Sequence, residues 1–232
     1  MVEQQELWDL QSLARATRLA DWMFEQFASD AHGAVAEVGA GIGTFSERLL
    51  ANGVESLLLV EPEPACVEVL RERFDSDDRV TVVREELPEA PSLGKASFDF
   101  VLCQNVLEHI PDETAAIAAI GEALRPGGRL GLLVPAGPRL FGPLDRVYGH
   151  ERRYTREMLR RVVEKADLRL LELHPFNTLG IPGWWVKNRL GSSSLGTRSL
   201  AAYEALVPLW RPLERRLCPP WGLSLVARAE RP

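Results

Sequence analysis

Apolar residues along the chain alternate between helical spacing and short continuous runs. Leu7, Leu10, Leu13, Leu19, Trp22, Met23 and Phe27 recur at helical intervals and predict a helix over residues 5–28. The run Ala34 to Val38, after His32-Gly33, predicts a first buried strand, and residues 44–51 a helix stopped by Asn52-Gly53. "ESLLLVEPEP" predicts a second strand, with its prolines opening a helix over 64–74. "RVTVVREEL" and "SFDFVLCQNV" predict strands three and four, and "DETAAIAAIGEAL" a helix. "RPGG" then turns the chain into a fifth strand, "RLGLLVP". "TREMLRRVVEKAD" predicts a helix capped by its Thr, and "LRLLELHPF" and "GLSLVARAE" predict the last two strands.

Strands alternating with helices imply βαβ units and a doubly wound, mostly parallel sheet. Short continuous apolar strands suit it, because helices cover both faces. Residues 176–221 interrupt the last two strands and are rich in Gly, Pro, Trp and Arg, with a "GSSSLGT" stretch inside. They predict a helical lid or substrate cap inserted in a single domain spanning 1–232.

Composition changes this picture little: 232 residues with 46% hydrophobic and 26% charged side chains can bury a sizeable core. A net charge of −6 disfavours a general nucleic-acid binder. Cys66, Cys103 and Cys218 are odd in number and lack CxxC spacing, against both a disulfide framework and a zinc site. The start "MVEQQELWDL" is unlike a signal peptide, and no apolar run approaches the roughly 20 residues of a membrane span. A cytoplasmic location and no stable membrane insertion are expected; oligomeric state is not legible.

The chemistry begins in "AEVGAGIGTF", residues 36–45. A glycine loop between strand and helix suits a nucleotide-type cofactor. The spacing is Glu37-x-Gly39-x-Gly41-x-Gly43, and a GxGxxG count from Gly39 ends on Thr44. A carboxylate ahead of the glycines sits badly beside a pyrophosphate and well beside a cationic group. Glu61, at the end of the second strand, can accept both hydroxyls of a ribose, in either a dinucleotide or an adenosyl cofactor.

Taken together, EVGAGIG, VEP, FDFVLCQNVLEHI and LRPGGRL resemble the class I S-adenosylmethionine-dependent methyltransferases, from about Ala34 to Pro135 and through the final strands. The resemblance is to the small-molecule type, similar to ubiquinone-pathway and secondary-metabolite O-methyltransferases. It implies a Rossmann-like seven-stranded sheet with the last strand antiparallel, an N-terminal helix, and S-adenosyl-L-methionine as cofactor. Glu37, Gly39 and Gly41 would surround its methionine part, Glu61 hold the ribose, and Pro62 line the adenine. "REEL" stands where the family often has an Asp, so Glu86 with Leu87 is the counterpart, with Glu85 the alternative. Asn105 would sit beside the reacting methyl. Glu108-His109 resembles a pair in ubiquinone-pathway O-methyltransferases, some linked to a divalent metal. Two adjacent ligands do not make a site, so no metal is expected.

An oxygen acceptor must lose its proton, and histidine is the base suited to neutral pH. His109, in "NVLEHI", and His150, in "DRVYGHERRYT", both follow strands at the ligand-binding sheet edge. His150 is slightly favoured because Tyr148, Arg152, Arg153 and Tyr154 flank it, donors suited to a substrate carboxylate, enol or phosphate. The two arginines equally fit a solvated face or pairing with Glu151 and Asp145. The lid carries Phe176, Trp184, Trp185, Tyr203, Trp210 and Trp221, and Trp184 is placed at the acceptor. "WWVKNRL" also leaves surface contact with a membrane open.

The leading expectation is O-methylation of a small lipophilic acceptor, an enol, hydroxyl or carboxyl of a secondary metabolite such as a polyketide. N- or C-methylation, a lipid-linked sugar acceptor, and a non-catalytic cofactor-binding partner are the alternatives.

Overall fold

The computed structural model describes residues 14–189 and 197–232. Seven strands form one sheet: β1 (Ala34–Val38), β2 (Ser56–Val60), β3 (Val80–Val83), β4 (Phe98–Gln104), β5 (Leu124–Pro135), β6 (Arg169–Phe176) and β7 (Ser224–Glu230). Their order is β3-β2-β1-β4-β5-β7-β6. The first five run parallel, and β7 is antiparallel to both β5 and β6. This is the seven-stranded doubly wound sheet with an antiparallel last strand that the family resemblance implies.

The helices fall where the sequence signals put them, although the first described one covers only Thr17–Phe24 of the expected 5–28. They are α1 (Thr17–Phe24), α2 (Ser46–Ala51), α3 (Pro64–Phe74), α4 (Glu113–Ala123), α5 (Pro143–Val147), α6 (Arg156–Lys165), α7 (Gly180–Arg189) and α8 (Thr197–Leu217). Asp112 caps α4 by accepting from Ala115 N at 2.9 Å, and Thr155 caps α6 by accepting from Met158 N at 3.2 Å. The first part of the expected N-terminal helix, up to residue 13, lies outside the described residues.

Side chains alternate between two buried faces along each strand. Ala36, Val38, Val101, Cys103, Leu130 and Leu132 pack with Ile117 and Ile120 of α4 and with Leu159 and Val163 of α6. On the other face Val35, Leu57, Leu59, Phe100 and Leu102 meet Trp22 and Met23 of α1, Leu49 of α2, and Leu70 and Phe74 of α3. One expectation shifts in detail. The "RPGG" turn lies inside β5, as an irregularity: Phe98 pairs with Leu124 and Phe100 with Arg129, so the intervening residues loop out of register.

The expected lid lies between β6 and β7 as α7 and α8; residues 190–196 are outside the described set. Two buried or half-buried carboxylates seat it. Glu214 accepts from Asn177 N (2.6 Å), Thr178 N (2.8 Å) and Trp210 Nε1 (2.9 Å). Glu204 accepts from Arg18 N and Leu19 N at the start of α1, at 3.0 and 2.9 Å. This brings α1 and the lid together over the C-terminal ends of the strands. No described helix is long and apolar enough to cross a membrane.

Candidate active site

A cavity of about 670 Å³ opens over the carboxyl ends of β1, β2, β4 and β5, where doubly wound sheets bind ligands. The glycine loop stands on its wall. Gly39 and Gly41 line it with positive φ (73° and 55°), and a Cβ on Gly39 would lie 2.1 Å from Val106 Cγ2. Only glycine tolerates both constraints. Glu61, also on the wall, braces this loop: Oε2 accepts from Gly41 N at 2.8 Å and Oε1 from Glu63 N at 3.0 Å. Burial raises the Glu61 pKa, against those two backbone donors.

The same cavity has a polar corner. Asn105, held at φ 52° with its N–H on Leu133 O (2.8 Å), leads into the short turn Leu107–His109. Glu108 is fully buried on the wall, and neither carboxyl oxygen has a hydrogen-bond partner among the described residues. Burial pushes its pKa up to about 8. Burial, with His150 beside it, depresses His109 to about 4, so that imidazole is neutral at pH 7. The His109 and His150 rings meet edge to face, centroids 4.9 Å apart. His150 Nδ1 lies 2.9 Å from Asp145 Oδ1, and its Nε2 lies 3.9 Å from Glu108 Oε1. Glu108, His109 and His150 each bring a ligand-type atom within 4.8 Å of the others, a grouping able to hold a cation.

The cavity also has an apolar wall, with Leu19 and Met23 from α1 and Phe176, Trp184, Leu200 and Tyr203 from the lid region. An amphipathic acceptor would fit with its polar group in the corner and its body under the lid.

Comparisons with known proteins show the family and the fold. A family model described as a methyltransferase domain matches residues 11–173. The chain belongs to the class I S-adenosylmethionine-dependent methyltransferases. It is 34% identical over 101 residues to a ubiquinone biosynthesis O-methyltransferase of Xylella fastidiosa, covering 41% of this chain and 39% of that one. It is 31% identical over 115 residues to an uncharacterized methyltransferase-like protein of Schizosaccharomyces pombe, covering 50% of this chain and 43% of that one. The matches thus span about two fifths of the length of these curated relatives. Among solved structures, geranyl diphosphate methyltransferase in complex with SAM superposes with TM-score 0.67 at 16% identity, covering 93% of this chain and 85% of that one. An S-adenosylmethionine-dependent methyltransferase from Mesorhizobium loti gives 0.62 at 15% identity, covering 87% and 93%. These structural likenesses concern the fold.

The methyltransferase's own residues fit an adenosyl sulfonium cofactor better than a dinucleotide. Glu61, Glu63, Glu85 and Glu86 all stand on the wall near the glycine loop, so that end is acidic and repels a pyrophosphate. Gly39, Gly41, Glu61, Pro62, Glu86, Leu87 and Asn105 line the cavity as the sequence suggests. Glu37 does not. It lies behind the loop, where Oε2 accepts from Ser46 Oγ at 2.6 Å, and burial pushes its pKa up to about 8. It ties β1 to α2 and shapes the loop from outside the cavity.

The acceptor residues divide similarly. His109, Tyr148, His150, Arg153 and Trp184 line the cavity. Arg153 is already engaged: Nε donates to Asp145 at 2.6 Å, Nη1 to Ala136 O at 3.0 Å, and its guanidinium lies 4.5 Å over the Trp184 ring. Arg152 and Tyr154 are not brought to the wall. Arg152 donates to Ile110 O (2.7 Å) and Glu113 (3.1 Å), and the buried Tyr154 hydroxyl to Glu113 at 2.6 Å. Both brace the turn that carries Glu108 and His109. Sequence inspection offered Asp145 as an arginine partner, which Arg153 bears out, but missed its link to His150, which spans five residues, a spacing that marks no motif. It also missed Leu19 and Met23, which only the packing of α1 on the lid brings in.

Proposed function

We propose that the chain transfers the methyl group of S-adenosylmethionine to an oxygen of a small lipophilic acceptor, an enol, hydroxyl or carboxyl of the kind found in polyketide-like secondary metabolites. The observation that carries this is one cavity lined both by the glycine loop with Glu61 and by the His109–His150 corner. When bound, S-adenosylmethionine supplies a methyl already activated by its sulfonium. The chain's task is then to align the acceptor, exclude water and take a proton.

Glu61 receives the ribose hydroxyls, Pro62 and Leu87 flank the adenine, and Asn105 stands beside the methionine end. The acceptor oxygen sits in the polar corner and gives its proton to His150, with neutral His109 packed against that ring. Trp184, Phe176 and Tyr203 cover the acceptor's apolar body. The name of the Xylella fastidiosa relative supports an oxygen acceptor. The test incubates the purified chain with S-adenosylmethionine and a panel of lipophilic phenols, enols and carboxylic acids, alongside amine counterparts. Mass spectrometry then reads S-adenosylhomocysteine and methylated product. Turnover confined to amines would overturn oxygen as the acceptor; none at all on the panel, with the cofactor bound, would return the chain to the binding-partner class.

A further inference from the structure

We propose that Asp145 is the positioning residue for His150: it locks the imidazole in the tautomer with hydrogen on Nδ1 and leaves the Nε2 lone pair for the acceptor. This rests on the reading of His150 as proton acceptor.

Asp145 is fully buried in the short helix α5, and its carboxylate is surrounded by donors. Oδ1 lies 2.6 Å from Arg153 Nε and 2.9 Å from His150 Nδ1, and Oδ2 accepts from Gly142 N at 2.8 Å. The Arg153 guanidinium keeps its protons at any working pH. A proton on Asp145 would have to displace one of these donors, so the carboxylate is an acceptor only. The 2.9 Å contact therefore requires the hydrogen to sit on Nδ1 of the uncharged ring. The lone pair is then on Nε2, the nitrogen turned toward Glu108 in the cavity corner. The main chain adds a second hold, since His150 N donates to Asp145 O at 2.8 Å.

The lid takes part in this arrangement. Arg153, which fixes Asp145, lies under the Trp184 ring of α7. From the same helix, Asn188 accepts from Leu144 N at 3.1 Å and donates to Leu140 O at 2.9 Å. Helix α7 thus grips both ends of the segment that presents Asp145. An imidazole with no carboxylate beside Nδ1 favours the opposite tautomer, whose bare nitrogen would point away from the cavity.

Long-range proton–nitrogen correlation spectra of the ¹⁵N-labelled full chain read the tautomer directly, with His150 assigned by its loss in His150→Ala. The wild type should show a protonated Nδ1 and a bare Nε2. Asp145→Asn alone would keep its amide oxygen on the Arg153 donor, so the test uses D145N/R153M, in which that oxygen can accept from Gly142 N while the NH2 donates to Nδ1, and most of the Nδ1–H population should disappear. Affinity for S-adenosylhomocysteine should stay unchanged, while kcat on an acceptor found by the panel falls by about 10²-fold or more. The double variant removes both charges together, and if it fails to fold the wild-type spectrum still decides the tautomer. A wild-type ring protonated on Nε2, or an unchanged tautomer in a folded D145N/R153M chain, overturns the proposal. A switched tautomer with normal turnover sinks the proton-acceptor reading, and the proposal with it. Failure of the wild type to bind S-adenosylhomocysteine would instead count against the cofactor assignment and leave the tautomer result standing.

Discussion

Replacing Glu61 tests how the cofactor end works, because the structure shows what the carboxylate already does. Its two oxygens offer about four lone-pair positions, and two are taken by Gly41 N and Glu63 N. The remaining pair faces the cavity and suits two vicinal ribose hydroxyls. Hydrogen bonds to a charged group contribute about 1.5–3 kcal/mol each, and two on one carboxylate do not simply add. Glu61→Ala should therefore weaken S-adenosylhomocysteine binding by about 1.5–3 kcal/mol, or roughly 10- to 150-fold. Glu61→Gln should be no milder, although it keeps the side-chain volume. An amide has one acceptor oxygen, so its NH2 must face either Gly41 N–H or Glu63 N–H, donor against donor. That conflict would loosen the glycine loop itself. Titration calorimetry measures the affinities, and a melting curve without ligand checks the fold. Wild-type affinity in both variants would refute the assignment of Glu61 to the cofactor. A Gln variant that binds like wild type beside a weakened Ala variant would refute the lone-pair reasoning specifically.

His150→Ala and His109→Ala should each be tested for kcat, with at least one falling by about 10²-fold while S-adenosylhomocysteine affinity changes little; near-normal rates in both would remove a histidine base from the corner. The Arg152→Ala and Arg153→Ala pair should separate bracing from charge support. The first loosens the Leu107–His109 turn, while the second strands the buried Asp145 carboxylate and lowers the melting temperature more, by an amount on the order of 3–5 kcal/mol in stability. Glu37 makes the unliganded protein pH-sensitive. Its folded pKa near 8 lies above the ordinary carboxylate value, so the stability it lends is complete below about pH 4.5 and is lost as pH rises through 8. Glu37→Gln, which can keep the Ser46 contact, should lessen but not abolish the fall in melting temperature between pH 5 and about 8.5, because buried Glu108 is raised to about 8 as well; an unchanged slope in the variant would refute the contribution of Glu37. Methyl transfer should persist in EDTA if His150 takes the proton; activity lost in EDTA and restored by zinc would instead make Glu108, His109 and His150 a working cation site.

The cofactor half of the site was legible because its chemistry sits in contiguous motifs at strand ends. A buried run, a glycine turn and an acidic residue after the next strand reach one sheet edge in any doubly wound fold. The exception, Glu37, turned on which face of β1 its side chain takes. It shares that face with Val35, against α2, and residue order alone carries no such direction. The same parity sorted the acceptor loop. Arg152, Arg153 and Tyr154 are consecutive in a segment whose Tyr154 bridges to Ala136 as extended chain. Alternate side chains must point opposite ways there, so Arg152 and Tyr154 both reach Glu113 while Arg153 alone turns to Asp145 and the cavity. A cluster of donors in the sequence was therefore split by backbone geometry into bracing and site-facing members. Asp145 shows the converse. Gly149, at φ 70°, folds the chain back so that residues five apart face each other, and the contact exists only because of that turn. What motif reading captures is chemistry held by regular elements; what it misses is chemistry held by a single reversal of the chain. By that logic a non-glycine residue at 149 should disturb the histidine pair first, since Gly149 adjoins His150 and a Cβ there would lie 3.7 Å from His109 Nδ1.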